Sequence, residues 1–350
     1  MKGRLIILFV ISGLFAVNLN AKEEEGKTPH LKKQDILVLE EAYNLWQEKG
    51  DSIWSDWTSF KIPFVYQKNE FEYFIDFPSK PENSIFAGKY FGKNIYARKR
   101  KNELSTSQRD VDGVFAVVLA CPQIQGIENE EWILTAIHEM FHVYQMMKGS
   151  LKKINDLNLA YGEDASWMLE FPFPYDDATL NSISHIQGYI LFDSFGMKSF
   201  EEKLYNLLLL KELIEVYKDY INLKYKNNRN YLYSNLQQAI EGVAKYTEIK
   251  MAELAAKDYS PLNEDLDFKR IWDENYQKQI NVVRHCGKGT GGRLTFYYLG
   301  CGKCLMLDRL YPKWKELYFE TLWLDDIIDR VIVEVMKQLK SSNDTFGKNS

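Results

Sequence analysis

The chain has 350 residues and a net charge of -5, and 45% of its residues are hydrophobic and 14% aromatic. This apolar content excludes an intrinsically disordered chain, and 20 glycines and 9 prolines are too few for a collagen-like or low-complexity sequence. The weakly acidic balance argues against a nucleic-acid binder that relies on phosphate contacts. The length predicts one large domain, residues 22–340, or two packed subdomains near 22–150 and 151–340.

Residues 1–21 have the pattern of a secretory signal peptide. Lys2 and Arg4 form a positive start, residues 5–17 are mostly apolar, and a candidate cleavage site ends at Ala21. The apolar run is too short for a transmembrane helix, and no later run of comparable character predicts a membrane span. No cysteine lies near the cleavage point, so a lipid anchor is not expected there. Cleavage predicts a secreted or periplasmic protein whose net charge changes from -5 to -7, since two basic residues are lost.

The front part of the chain alternates a helix with short strands. Apolar spacing predicts a helix over 31–49 that Gly50 ends. β-prone runs follow at 62–66 and 71–77, separated by polar residues and punctuated by Pro63, Pro78 and Pro81. Residues 114–120 form a continuous apolar run, which predicts a buried strand.

The rest of the chain is predicted to be mostly helical. A short turn at 166–171 and an extended, proline-rich connector at 171–175 interrupt it. A polar tail is predicted over 341–350. The predicted helices cover 130–148, 180–195, 200–226, 231–257, 294–311 and 322–339. The fold class is therefore α+β and mostly α, with a small mixed α/β N-terminal part and a helical C-terminal part.

Two local patterns have structural interpretations that we favour. Cys301 and Cys304 have the CxxC spacing of a redox pair, but the small residues of segment 296–310 predict a buried helix instead. With only one closely spaced pair among four cysteines, a four-cysteine zinc site is disfavoured. The basic run 98–101 is interpreted as a solvated loop, and binding of a substrate carboxylate is the alternative.

The segment 138–142 has the pattern HExxH. Residues four apart lie on one face of a helix, so His138 and His142 can direct two imidazoles at one metal ion. Glu139 lies beside them and can reach a water molecule on that metal. Zinc lowers the pKa of such a water and polarises a carbonyl, and a carboxylate that accepts the proton completes a hydrolytic site. The alternative is an ordinary helix with two structural histidines.

A third metal ligand is needed, and four residues are candidates: Glu163, Glu170, His185 and Glu241. Glu241 lies in the predicted helix 231–257, where Gly242 and Ala244 would allow close approach to the motif helix. A glycine inside a helix costs about 1 kcal/mol relative to alanine, which indicates a packing reason for Gly242. Glu163 and Glu170 lie nearer to the motif in sequence, and their alternative is a capping or surface role.

Together, segment 138–142 and segment 241–246 (EGVAKY) resemble the gluzincin zinc metallopeptidases. They are similar in particular to bacterial secreted metallopeptidases that have an HExFHxxQ-like helix and a later EGxAxY-like helix. The likeness extends loosely to 297–300 and 307–315. It implies a zincin-like fold with zinc held by His138, His142 and Glu241, and with Glu139 as general base and acid. The NExxS/D pattern of thermolysin-type enzymes is absent around Glu241.

Hydrolysis through a tetrahedral intermediate also needs a donor for the oxyanion. The sequence offers five candidates: Tyr246, Tyr297, Tyr298, His185 and Arg293. Of these we favour the adjacent pair Tyr297 and Tyr298 as catalytic residues. By analogy with zincin folds, strand 114–120 is expected at the edge of the cleft, where it would pair with an extended substrate. A core strand is the alternative.

The leading functional hypothesis is a secreted or periplasmic zinc-dependent peptidase. In it, Zn²⁺ and Glu139 activate a water molecule that attacks the carbonyl of a peptide or protein substrate. One alternative is a noncatalytic secreted binding protein on a zincin scaffold, and another is a metal-dependent amidohydrolase of non-peptide bonds. No nucleic-acid partner and no oligomeric state are predicted.

Overall fold

The structure, a computed structural model, describes residues 29–101, 104, 106–160, 167–288 and 290–346. The predicted signal peptide lies outside these residues. The chain divides into two compact units. The first contains the described residues up to Tyr144 together with Asp258–Phe268, and the second contains Gln145–Lys257 and the residues from Lys269 onwards. The described residues confirm the predicted α+β class, with helices predominating.

The first unit contains a mixed sheet of six strands in the order β3-β4-β2-β1-β6-β5, as far as the described residues show. The strands are β1 (Phe64–Lys68), β2 (Phe71–Ile75), β3 (Ile85–Tyr90), β4 (Lys93–Lys99), β5 (Thr106–Val111) and β6 (Val114–Ala120). Strand β1 pairs with β2 in antiparallel and with β6 in parallel orientation. The sequence predicts β1, β2 and β6, and it misses the other three strands.

Strand β6 lies inside the sheet, so the expectation that it borders a substrate cleft is wrong. One side pairs with β1, and the other side pairs with the whole of β5, from Thr106 opposite Leu119 to Val111 opposite Val114. Because both sides of the strand pair with neighbours, no backbone row is left for an extended substrate. Its last five residues are buried, which confirms the core-strand alternative.

The described residues of the first unit form, wholly or mainly, three α-helices: α1 (Lys33–Ile53), α2 (Pro122–Gln125) and α3 (Asn129–Met147). The prediction that Gly50 ends the first helix is wrong, because α1 continues through it. Gly50 is buried, and a Cβ atom added there would lie 2.9 Å from Cγ2 of Thr58 and 3.0 Å from Cδ1 of Trp46. This glycine therefore permits close packing inside the helix.

The other helices lie wholly or mainly in the second unit. They are α4 (Ser150–Asp156), α5 (Trp167–Glu170), α6 (Ala178–Ser194), α7 (Phe200–Tyr225), α8 (Arg229–Gln237), α9 (Val243–Asp258), α10 (Phe268–Ile271), α11 (Gln277–Val282), α12 (Leu294–Leu310), α13 (Trp314–Thr321) and α14 (Leu324–Phe346). The predicted helices near 180–195, 200–226 and 294–311 are confirmed. The last helix extends beyond the predicted range 322–339, because α14 continues to Phe346.

Arg98 contradicts the interpretation of the basic run as a solvated loop. Arg98 and Lys99 belong to β4, and Arg98 is only 6% exposed. Its Nε atom donates to Oε1 of Glu72 at 2.6 Å, and its Nη1 atom donates to Asp112. The guanidinium is thus engaged by two carboxylates of the sheet, which disfavours the substrate-binding alternative for this residue.

Replacing Arg98 with methionine is expected to lower the free energy of unfolding by about 3–5 kcal/mol. The substitution leaves the Glu72 carboxylate, 2% exposed, buried without its main counter-charge. Urea unfolding measures the loss, and Lys99→Met, at an exposed position of the same strand, should change stability by no more than about 0.5 kcal/mol. Equal effects of the two substitutions would contradict a buried ion pair at Arg98.

Candidate metal centre

Helix α3 carries the HExxH segment in a buried, aromatic environment. Phe141 lies inside the motif, stacked on Trp54 with ring centroids 5.0 Å apart and edge-on to Trp57 at 5.5 Å. All three side chains are almost completely buried. This packing stabilises the helix on the side of Phe141, and the predicted helix 130–148 is confirmed.

The two histidines of the motif face each other across one helical turn. Their Nε2 atoms are 3.1 Å apart, and the ring planes are inclined at 78° with centroids 4.8 Å apart. Both residues are buried, His138 at 5% exposure and His142 at 1%. Two nitrogens that each lie 2.0–2.1 Å from a tetrahedral zinc ion would be separated by about 3.3 Å. The observed spacing therefore fits two ligands of one ion.

Glu241 completes a three-residue group with these histidines. The ligand-type atoms of His138, His142 and Glu241 all lie within 4.8 Å of one another. Two imidazoles and a carboxylate are a donor set that could hold a metal ion. Among the residues that the structure describes, neither Glu170 nor His185 belongs to this group, and Glu163 lies outside the described residues.

Glu241 lies in a π turn, Gln238–Gly242, which separates α8 from α9. The sequence predicts a single helix over 231–257, and the structure shows a helical run that this turn interrupts. A π turn inserts a residue into the helical winding, and such turns occur frequently at functional sites. The apolar spacing of the segment does not reveal the turn, because helical periodicity continues on both sides of it.

The close approach that Gly242 permits is to α12, and the expectation that it faces the motif helix is wrong. A Cβ atom added to Gly242 would lie 2.6 Å from Cα of Gly300, and one added to Gly300 would lie 2.4 Å from the carbonyl oxygen of Gln238. The backbones of α12 and of the π turn are therefore in direct contact. A packing reason for Gly242 is confirmed, with a different partner.

Gly300→Ala is expected to destabilise the protein by about 1–3 kcal/mol. Alanine would gain up to about 1 kcal/mol in helix propensity, but its methyl group would overlap the rigid backbone at Gln238, and overpacking of this kind costs more. Thermal unfolding compared with Gly291→Ala is the measurement, because a Cβ atom at Gly291 meets nothing within 4 Å. A neutral Gly300→Ala would show that the two backbones can separate without cost.

Glu139 directly follows the first histidine and is buried, at 3% exposure. A carboxylate on the motif helix, adjacent in sequence to a metal ligand, is suited to accept a proton from a water molecule near the ion. The oxygen atoms of Glu139 are not part of the metal-ligand group.

The two tyrosines favoured for the oxyanion lie in different surroundings on α12. The hydroxyl of Tyr297 accepts a hydrogen bond from Nη2 of Arg293 at 3.0 Å. Burial lowers the pKa of Arg293, but Tyr297 and the Glu241 carboxylate raise it above its usual value, so Arg293 lies within electrostatic range of Glu241. Burial raises the pKa of Tyr298, whose strongest charged neighbour is Lys245.

The remaining candidates are engaged elsewhere or lie outside the metal-ligand group. Tyr246 is fully buried, and its hydroxyl donates to Oδ2 of Asp308 at 2.5 Å. His185 lies on α6, outside the metal-ligand group. Cys301 and Cys304 are buried free thiols on α12. Burial raises the pKa of Cys301 to about 12, which disfavours a reactive thiolate and supports the packing interpretation.

Comparisons with protein-family models, with curated proteins and with solved structures find no match to this chain. Within the part of the chain that the structure describes, no helix combines the length and the apolar character that crossing a membrane requires. The function is therefore inferred from the chemistry of the site itself.

Proposed function

We propose that this chain is a secreted or periplasmic zinc-dependent peptidase of zincin-like fold. The observation that carries the proposal is the group of His138, His142 and Glu241, whose ligand-type atoms lie within 4.8 Å of one another. Three protein ligands of this kind are typical of catalytic zinc sites, which keep a coordination position open, whereas structural sites are closed by four protein ligands. Glu139 supplies the carboxylate that hydrolysis requires.

Each residue has a defined task in this proposal. His138, His142 and Glu241 hold the ion, which when bound supplies Lewis acidity and lowers the pKa of a water molecule. Glu139 accepts the proton of the water that attacks the carbonyl carbon, and it returns this proton to the leaving amine nitrogen. The burial of Glu139 strengthens its electrostatic interactions with the reacting groups, because the effective dielectric constant is low there.

Tyr297 is the better of the two tyrosines for stabilising the oxyanion. Its hydroxyl accepts a hydrogen bond from Arg293, and the charge of Glu241 raises the pKa of that guanidinium. A hydroxyl polarised by a guanidinium is a stronger donor to a developing negative charge than an isolated phenol. Tyr298, beside Lys245 and Glu248, has no comparable link to the metal ligands among its main electrostatic neighbours.

Metal analysis of the chain purified without chelators tests the proposal. We expect close to one zinc ion per chain, and cleavage of a peptide library that a chelator abolishes and added zinc restores. Absence of near-stoichiometric zinc would overturn the proposal. Bound zinc without peptide cleavage would favour the noncatalytic scaffold, and cleavage restricted to a panel of non-peptide amides would favour the amidohydrolase.

A further inference from the structure

Two buried side chains of the second unit bind the backbone of the π turn that carries Glu241. Nε2 of Gln145 donates to the carbonyl oxygen of Ile240 at 3.1 Å. The same amide donates to the hydroxyl of Tyr318 at 2.6 Å, and that hydroxyl donates to the carbonyl oxygen of Ala239 at 2.7 Å. Both side chains are completely buried. The two carbonyls immediately before Glu241 are thus bound by one hydrogen-bonded pair.

The position of Gln145 connects this pair to the histidine ligands. Gln145 lies on α3, three residues after His142, and residues three apart lie on the same face of a helix. The helix that presents both imidazoles therefore also holds the backbone next to the carboxylate. Ile240 directly precedes Glu241, so displacement of the Ile240 carbonyl would change the direction of the Glu241 side chain.

The hydrogen bonds of Gln145 and Tyr318 run in one direction, from the amide through the hydroxyl to the backbone carbonyl. Tyr318 accepts from Gln145 and donates to Ala239, so its hydroxyl is used both ways. A buried amide or hydroxyl that lost these partners would bear a desolvation cost of about 1–3 kcal/mol. On another side of the turn, the backbone of Gly300 lies directly against Gly242 and Gln238. The turn is held by contacts from three helices: α3, α12 and α13.

We infer that Gln145 and Tyr318 are positioning residues of the metal centre, which hold the π turn so that the Glu241 carboxylate reaches the ion. The inference rests on the proposed metal centre. It assigns the pair a role beyond stability, because a merely structural pair would affect unfolding and leave the metal affinity of the folded protein unchanged. Outer-shell partners of metal ligands commonly change metal affinity by about 10–100-fold when they are removed.

Zinc affinity of the full chain, measured by competition with a chromophoric chelator, is the direct test. We expect Gln145→Leu and Tyr318→Phe each to weaken zinc binding by about 10–100-fold. The matched control is Tyr276→Phe, which removes a buried tyrosine hydroxyl that donates at 2.8 Å to Glu248, a residue of α9. Its zinc affinity should stay within about threefold of the unsubstituted chain. The visible spectrum of the cobalt-loaded protein should change in the first two variants alone.

A double-substitution cycle with Glu241→Ala separates positioning from general damage. If Gln145 acts through Glu241, then Gln145→Leu should cause no further loss of zinc affinity once Glu241 is alanine. The same loss in both backgrounds would overturn the inference, as would unchanged affinity in both Gln145→Leu and Tyr318→Phe. Tyr318→Phe keeps the test open if Gln145→Leu fails to fold. If the unsubstituted chain binds no zinc, the proposed function itself fails, an outcome visible before any variant is made.

Discussion

Glu139→Gln is expected to abolish peptide hydrolysis while the chain retains its zinc. Glutamine has nearly the same size as glutamate, but its amide cannot accept a proton from the attacking water. General acid–base catalysis contributes about 10²–10⁴-fold to a rate, so kcat should fall by a factor in this range. Because Glu139 is not one of the three grouped ligands, the zinc content should be unchanged.

The matched control for this prediction is Glu131→Gln, on the same helix and two turns earlier. It makes the same chemical change, and the activity should stay within about twofold of the unsubstituted chain, as expected for a substitution away from the site. Steady-state kinetics and metal analysis of both variants decide the matter. Full activity of Glu139→Gln would remove Glu139 from the mechanism, and loss of zinc would make it a ligand.

Glu241→Ala is expected to release the metal. The substitution removes one of three grouped ligand side chains, so the loss of zinc affinity should exceed the roughly 10–100-fold that follows removal of an outer-shell partner. Peptide hydrolysis should disappear with the metal. Competition with a chelator measures the affinity, and metal analysis after extensive dialysis measures retention.

Glu253→Ala is the control for this second prediction. Glu253 lies on α9, partly exposed, and pairs with Lys250 and Lys257 near the surface. Surface pairs of this kind contribute little to stability, so zinc binding should be unaffected. Normal zinc affinity in Glu241→Ala would show that the third ligand lies elsewhere, and Glu163 and Glu170 would be the next residues to replace.

The part of the site that follows from local spacing could be predicted from the sequence. His138 and His142 are one helical turn apart, so helical geometry alone predicts that their imidazoles meet. The position of Glu241 depends on a π turn and on the packing of Gly242 against Gly300, which no local pattern specifies. Its inclusion among the candidates required the presence of small residues beside it and the likeness to gluzincins.

The fold shows the same limit. Strand β6 is apolar throughout and was predictable, whereas β5 (TSQRDV) is an edge strand whose polar residues resemble a loop. Arg98 looks like a surface charge in sequence, because its partners Glu72 and Asp112 are distant in the chain. At β5 the pairing with β6, and at Arg98 the two carboxylates, decide the structure against the expectation from local composition.

The π turn at Glu241 makes the backbone support of this centre sensitive to insertion and deletion. A π turn contains one residue more than regular α-helical winding allows, and each residue of an α-helix turns the chain by about 100°. Deleting Ala239 would restore regular winding, and the contact between Gly242 and Gly300 would hold the downstream register in place. With Glu241 and the downstream helix held in place, the change in register would fall on α8, and the carbonyl that Tyr318 binds would come from Gln238 instead of Ala239. A single-codon deletion would thus rebuild the backbone that supports Glu241 while it leaves Glu241 and both histidines in the sequence.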